Sequence, residues 1–261
     1  MIAESVLYDK VGPVAWITLN RPEVKNAVDE QMHERLVEVF TDFHGDDTLR
    51  VAVLTGAGAD FTSGADLRTH APQWQEEGPM AGRNRLDAGV SGITRGPLAD
   101  IRKPILAMID GWCLGHGVEL AMACDIRIAS DRSRFGTFEV RRGMHSADGG
   151  IVRLLNATGV WFTTEMLLTG EPVDAQRALT ANMVNRVVPS AELRAETERV
   201  IASILRNDQA AIESAKETIK EVIGRTLHDQ LRVEAMWGYA LCAGNPSVAA
   251  RSAAFFDQKR P

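Results

Sequence analysis

The chain has 261 residues, of which 45% are hydrophobic and 25% charged, as is usual for a soluble globular protein. Its formal net charge of −6 excludes a general electrostatic attraction to nucleic acid or to an anionic membrane surface. The three cysteines form no C-x-x-C pair, so we expect reduced thiols. We recognise no secretory leader, and no apolar run approaches the roughly 18 residues of a membrane span. We therefore expect a cytoplasmic protein.

The first part of the chain predicts parallel α/β organisation. Residues 14–19 are rich in strand formers, and residues 51–54 form the next apolar run. Between them, Asp29 is a candidate helix N-cap. Apolar side chains then recur with helical spacing at Met32, Leu36, Val39, Phe40 and Phe43.

Residues 69–100 are rich in glycine and proline and show no clear periodicity. We expect a binding loop or lid with one helix around residues 84–93, since long irregular segments in compact domains often bind ligands. A variable surface insertion is the alternative.

Residues 103–139 are the most informative stretch. The apolar run Ile105–Ile109 predicts a buried strand, and Gly115-His116-Gly117 opens a predicted helix that carries Glu119. Another apolar run begins at residue 126, and Glu139 follows Glu119 by 20 residues. A glycine loop at a helix start leaves backbone N–H groups that can receive a substrate oxygen as it gains negative charge.

After residue 139 the pattern becomes mainly helical. We predict helices over residues 150–155 and 161–168, one or two helical turns within 172–184, and helices almost throughout from residue 191. The shift predicts an α/β core over residues 1–190 and a helical region over residues 191–261.

Two carboxylates in unlike environments could divide the work of base and acid in adding water across a double bond. Glu119 and Glu139 are the candidates. The alternative for Glu119 is a solvated helix position, although its neighbours are apolar. The alternative for Glu139 is a surface charge paired with Arg141 or Arg142.

Other motifs of catalysis and binding are missing from the sequence. It contains no complete dinucleotide fingerprint, P-loop or G-x-S-x-G elbow. Its six histidines form no i, i+4 pair, so we expect no zinc site on a helix. His116 and His145 could still act singly.

These segments together resemble the crotonase superfamily of enoyl-CoA hydratases and isomerases. The resemblance covers nearly the whole chain, in family order, through residues 16–22, 26–27, 63–66, 103–104, 117–125, 135–136, 168–170, 187–189 and 254–261. It implies a spiral of β-β-α units followed by a helical region used in trimerisation, with trimers often paired into hexamers. It also implies an acyl-CoA thioester as substrate, with coenzyme A belonging to the substrate and no separate cofactor or metal.

By position, the resemblance assigns the oxyanion hole to the backbone N–H groups of Ala65 and His116, and the two catalytic carboxylates to Glu119 and Glu139. It implies further substrate-binding residues around the two glycine loops and in the CoA-binding segment, namely Lys25, Asp66, Leu67, Arg68, Gly115 and Gly117. Lys259 lies in a terminal motif that in the family can reach a neighbouring subunit's ligand.

The chain departs from the family pattern at three places. The middle residue of the second glycine loop is usually small, and here it is His116. In the loop after Glu139, a Pro-Gly pair is replaced by Ser146 and Ala147, and Asp148 adds a carboxylate. In a branch that cleaves β-diketones, an aspartate at this place belongs to the site, so His145 and Asp148 are additional candidates.

The function that these residues favour is an enoyl-CoA hydratase. The alternatives are an enoyl-CoA isomerase, a C–C bond hydrolase of the same fold that uses Asp148 or His145, and a non-catalytic acyl-CoA-binding protein. Retention of both glutamates at the 20-residue spacing favours the hydratase.

Overall fold

The computed structural model describes residues 4–78, 80, 92–94 and 96–257. Within these ranges the strands are β1 Val6–Val11, β2 Val14–Leu19, β3 Val51–Gly56, β4 Ile105–Ile109, β5 Trp112–Leu114, β6 Ile126–Ser130, β7 Arg134–Gly136, β8 Val173–Asp174 and β9 Arg186–Val188. The α-helices are α1 Glu30–Gly45, α2 Leu67–Glu77, α3 Pro97–Asp100, α4 His116–Ala123, α5 Gly150–Thr158, α6 Val160–Thr169, α7 Ala175–Thr180, α8 Leu193–Leu205, α9 Gln209–Val222, α10 Leu227–Gly244 and α11 Ser247–Asp257. Short 3₁₀ turns lie at Pro22–Val24, Phe138–Arg142 and Ser190–Glu192.

The strands form two sheets. The larger sheet has the order β1-β2-β3-β4-β6-β9, with β1 antiparallel to β2 and every other pair parallel. The smaller sheet has the order β5-β7-β8. The strands β4 and β5 and the helix α4 form one β-β-α unit, and the next unit stacks on it because β6 pairs with β4 and β7 with β5. The structure thus has the expected spiral of β-β-α units.

The central strands β2, β3 and β4 of the larger sheet are buried on both faces, as strands of parallel sheets usually are. Along β2, alternate side chains belong to two clusters: Ile17 lies in the cluster that contains the apolar face of α1, and Trp16 lies in the cluster that contains Val200 and Ile201 of α8. All five apolar residues predicted for the α1 face are buried, and Asp29 caps the helix by accepting a hydrogen bond from the Met32 N–H. That part of the sequence prediction is confirmed.

The C-terminal region is helical, as predicted, but much of its apolar surface is exposed in the part of the chain that the structure describes. Side chains more than half exposed on α9 to α11 and the turns between them include Ile219, Ile223, Leu227, Leu231, Met236, Tyr239, Phe255 and Phe256. Every described strand precedes residue 190, yet α8 packs on the larger sheet, so the division into two domains stays a prediction.

One expected helix lies mostly outside the described residues. It was expected around residues 84–93, whereas α2 occupies the start of that irregular segment.

The three cysteines, Cys113, Cys124 and Cys242, are free thiols. Among the described helices, none is both long and apolar enough to cross a membrane.

Candidate functional site

The first glycine loop follows β3 and presents the backbone of Ala65. An isolated bridge pairs Ala65 with Val28: the Val28 N–H donates to the Gly64 carbonyl at 2.8 Å, and the Asp66 N–H donates to the Val28 carbonyl at 2.8 Å. These two bonds leave the Ala65 N–H on the opposite side of the strand. It donates no hydrogen bond to any part of the chain that the structure describes.

The second glycine loop joins β5 to α4 and lies directly against the first. A Cβ atom on Gly64 would lie 2.6 Å from the Leu114 carbonyl oxygen and 3.2 Å from the His116 nitrogen. Gly115 adopts a φ of +53°, which favours glycine, and a Cβ on Gly117 would lie 2.5 Å from the Thr62 Cγ2 atom. The His116 N–H also lacks an acceptor among the described residues, so each of these two adjacent loops carries one backbone N–H donor without a partner there.

Glu119 lies on α4, one turn after the second glycine loop, and is 5% exposed. Its Oε1 accepts hydrogen bonds from the backbone N–H groups of Ala147 at 3.0 Å and Asp148 at 2.8 Å, and its Oε2 lies 2.8 Å from Nδ1 of His116. Burial raises the pKa of Glu119, but these hydrogen bonds outweigh burial and leave the pKa below its ordinary value. The side chain is therefore held as a carboxylate, and the alternative of a solvated helix residue is wrong.

Glu139 lies in the 3₁₀ turn after β7 and has a different environment. Its Oε1 accepts a hydrogen bond from the Ser146 hydroxyl at 3.0 Å, whereas its Oε2 is buried and has no hydrogen-bond partner among the described residues. Burial raises the pKa of Glu139 above its ordinary value, and the negative charge of Glu119 acts in the same direction. A Cβ on Gly115 would lie 3.5 Å from Oε1 of Glu139, which places this carboxyl beside the second glycine loop.

Arg141 and Arg142, the arginines with which Glu139 could have formed a surface ion pair, have other partners. Arg141 forms an ion pair with Glu171 at 2.6 Å, and an Nη atom of Arg142 lies 3.5 Å from the Phe138 carbonyl oxygen. Glu139 is thus separate from the surface charges that are its neighbours in sequence.

The segment from residue 145 to residue 150 positions both carboxyls, and this role was missed from the sequence. It supplies the Ser146 hydroxyl to Glu139 and two backbone N–H groups to Glu119. A Cβ on Gly150 would lie 2.9 Å from both Glu119 Cγ and Ser146 Oγ, so a glycine is needed there. The pair Gly149-Gly150 is the feature of the sequence that corresponds to this close packing.

Asp148 and His116 bring two further ionisable groups beside Glu119. His116, Glu119 and Asp148 each place one nitrogen or oxygen atom within 4.8 Å of the others. Such a set could hold a cation, but the 2.8 Å contact between His116 Nδ1 and Glu119 Oε2 is a hydrogen-bond length, so we interpret these two side chains as a hydrogen-bonded pair. Asp148 is buried, and its Oδ2 accepts the Thr94 N–H at 3.1 Å.

The remaining predicted binding residues are spread around the glycine loops. Lys25 is 55% exposed and lies 3.3 Å from the Asp60 carboxylate, and Arg68 is exposed. Asp66 caps α2 through the Arg68 N–H and forms an ion pair with Arg21 at 3.3 Å, which is a structural role. Leu67 is partly buried at the start of α2.

His145 does not join the cluster, and a second candidate cannot be placed relative to it. The imidazole of His145 is on the exposed side of its loop, and its Nδ1 lies 2.8 Å from the Ser146 carbonyl. Lys259 lies outside the described residues.

Comparisons with known proteins identify the family of the chain. A family model described as enoyl-CoA hydratase/isomerase matches residues 9–260. A probable enoyl-CoA hydratase of Mycobacterium bovis is 31% identical over 263 residues, which cover 100% of this chain and 98% of that protein. A carnitinyl-CoA dehydratase of Citrobacter koseri is 34% identical over 217 residues, which cover 83% of this chain and 80% of that protein.

Solved structures extend the similarity to three dimensions. The crystal structure of an enoyl-CoA hydratase from Bacillus anthracis aligns with a TM-score of 0.86 at 29% identity, over 98% of this chain and 97% of that one. A Geobacillus kaustophilus enoyl-CoA hydratase subunit aligns with a TM-score of 0.87 at 30% identity, over 98% and 96% of the two chains. The chain has the crotonase fold and belongs to the enoyl-CoA hydratase/isomerase family.

Proposed function

We propose that this protein is an enoyl-CoA hydratase that adds water reversibly to a 2-enoyl-CoA thioester. The observation that carries the proposal is the contrast between two neighbouring carboxyls. Glu119 receives three hydrogen bonds that favour its anion, whereas Glu139 receives one from a side chain and keeps a buried, unpartnered oxygen among the described residues. Opposite pKa directions suit one group to act as base and the other as acid.

The proposed mechanism begins with the thioester carbonyl between the N–H groups of Ala65 and His116. Glu119 accepts a proton from water as the water oxygen bonds to Cβ, and Glu139 donates its proton to Cα. The two N–H donors stabilise the enolate oxygen between these events, and one such donor typically contributes a factor of about 10² to 10³ in rate. No metal or redox group is needed, because water and two carboxyls supply every proton that moves.

The same proposal includes the surroundings of the site. Lys25 and Arg68 are our candidates for the phosphates of coenzyme A, since both are exposed cations beside the first glycine loop. The uncovered apolar side chains of α9 to α11 support assembly into a trimer or hexamer. Three free cysteines suit a reducing compartment, and we place the protein in the cytoplasm.

A double-bond isomerase is the second candidate, and the position of Asp148 favours keeping it. This third carboxylate lies within 4.8 Å of the His116 and Glu119 atoms and could move a proton between carbons in place of activating water. The enolate and the oxyanion hole would be the same in both reactions.

One assay separates the candidates. The purified protein is mixed with crotonyl-CoA or with a 3-enoyl-CoA, and the ultraviolet band of the conjugated thioester is followed. A hydratase removes the band from crotonyl-CoA, an isomerase creates it from the 3-enoyl-CoA, and a non-catalytic binder changes neither. An unchanged crotonyl-CoA spectrum, with binding of the thioester intact by calorimetry, contradicts the hydratase.

A further inference from the structure

His116 places three polar atoms of one residue in the site. Its backbone N–H borders the space between the glycine loops, its Nδ1 lies 2.8 Å from Glu119 Oε2, and its Nε2 is buried without a hydrogen-bond partner among the described residues. The side chain is 12% exposed. A histidine so enclosed is not a solvated surface residue, and its contact with Glu119 follows from the i, i+3 spacing on one face of α4.

The hydrogen-bond chemistry fixes the direction of this contact. An ionised carboxylate has only acceptor atoms, so Nδ1 must carry the proton that joins it to Glu119 Oε2. This holds whether the imidazole is neutral or charged. Glu119 Oε1 already accepts two backbone N–H groups, so the ring of His116 is the one side chain, among the described residues, that hydrogen-bonds the other oxygen.

We propose that His116 is a positioning residue for Glu119. The Nδ1–H group of His116 holds the Glu119 carboxylate in its anionic form and in one orientation toward the substrate. The proposal rests on the proposed function, because it assigns Glu119 the role of base. Residue 116 would then act twice, through its backbone at the thioester oxygen and through its ring at the base.

The pKa of His116 depends on burial and on the charged groups around it. Burial lowers this pKa, whereas Glu119, Asp148 in the following loop and Glu139 in the 3₁₀ turn raise it by favouring a charged imidazole. The net result is a pKa above the ordinary value. Burial lowers the pKa of His33 of α1, and the charge of His116 acts in the same direction. Arg153 of α5 is bonded to Thr94 and to the Asp148 carbonyl.

The test compares two substitutions at residue 116. His116→Ala removes the donor, whereas His116→Asn keeps an N–H group near the position of Nδ1 and cannot ionise. His44→Ala, on an exposed residue at the end of α1, is the matched control. The readout is the dependence of kcat/KM for crotonyl-CoA on pH, which reports groups of the free enzyme.

We expect His116→Ala to lower kcat by about 10- to 100-fold, as for the loss of a hydrogen bond to a charged group. We also expect the acid limb of the pH profile of this variant to move to higher pH. Burial raises the pKa of Glu119, and the variant lacks the His116 hydrogen bond that lowers it. His116→Asn should restore the acid limb and most of the rate. An acid limb in His116→Ala that coincides with that of the wild type overturns the proposal, whatever happens to the rate.

A second measurement does not depend on turnover or on the folding of a His116 variant. Nitrogen NMR of histidine-labelled protein should show Nδ1 of His116 protonated, and the ring should titrate at lower pH in Glu119→Gln. An unchanged titration in Glu119→Gln contradicts the proposal. If the wild type fails to hydrate crotonyl-CoA while this NMR result holds, the hydratase function is wrong and the His116–Glu119 pairing stands.

Discussion

Gly64→Ala is the substitution that tests the oxyanion hole most sharply. The new Cβ would lie 2.6 Å from the Leu114 carbonyl oxygen and 3.2 Å from the His116 nitrogen. It would therefore intrude on the space that we propose for the thioester oxygen. The residue also has a φ of +93°, and a left-handed conformation costs a non-glycine residue about 1 to 2 kcal/mol. In addition to this strain, loss of one oxyanion donor raises the activation barrier by about 3 to 4 kcal/mol, which lowers kcat about 10²- to 10³-fold.

The assay is hydration of crotonyl-CoA, with circular dichroism to verify folding. Gly12→Ala is the matched control: it has a φ of +56° but nothing within 4 Å of the new Cβ, so it carries the backbone strain without the obstruction. We expect Gly12→Ala to lose stability and to keep its kcat. A folded Gly64→Ala protein with near-wild-type kcat would refute the assignment of the hole to these two loops.

Three further predictions concern binding, assembly and stability. Lys25→Glu should raise the dissociation constant for coenzyme A in calorimetry, because it reverses an exposed charge beside Asp60, and an unchanged constant removes Lys25 from the site. Light scattering should give the mass of a trimer or hexamer, since apolar side chains of α10 such as Leu227 and Tyr239 are exposed in the single chain; a monomer at micromolar concentration contradicts this. Arg50→Ala should lower the free energy of unfolding, measured by urea denaturation, by about 2 kcal/mol. The Arg50 guanidinium donates hydrogen bonds to the Gln209 side chain and to the carbonyls of Leu205 and Asn207. An unchanged urea midpoint would show that these bonds are dispensable.

The larger elements could be predicted because their signals are local. The helical face of α1 and the apolar run of β4 appear directly in the sequence, and the structure places both where the patterns indicate. The strands β5 and β7 have three residues each, too few for a period to be recognised. Their pairing, Cys113 opposite Phe135, depends on the stacking of successive units.

The site could be predicted in part. Glu119 and Glu139 were identified from their spacing and their resemblance to a family, and the structure gives them unlike environments. Ser146 and the backbone N–H groups of Ala147 and Asp148 were not assigned a role, because these contacts join residues 7 to 29 positions apart. A backbone donor leaves no mark on residue identity, so sequence patterns alone do not reveal it.

The most direct test of the two-glutamate mechanism is the hydration rate of Glu119→Gln, Glu139→Gln and the double variant, with Glu198→Gln on the surface of α8 as the control. Each single substitution should lower the rate by about 10²-fold or more, the usual scale for acid–base catalysis, while acyl-CoA binding persists. The double variant should be only slightly slower than the slower single variant, because the two groups serve one step. Near-wild-type hydration by either single variant would contradict the mechanism and direct attention to Asp148.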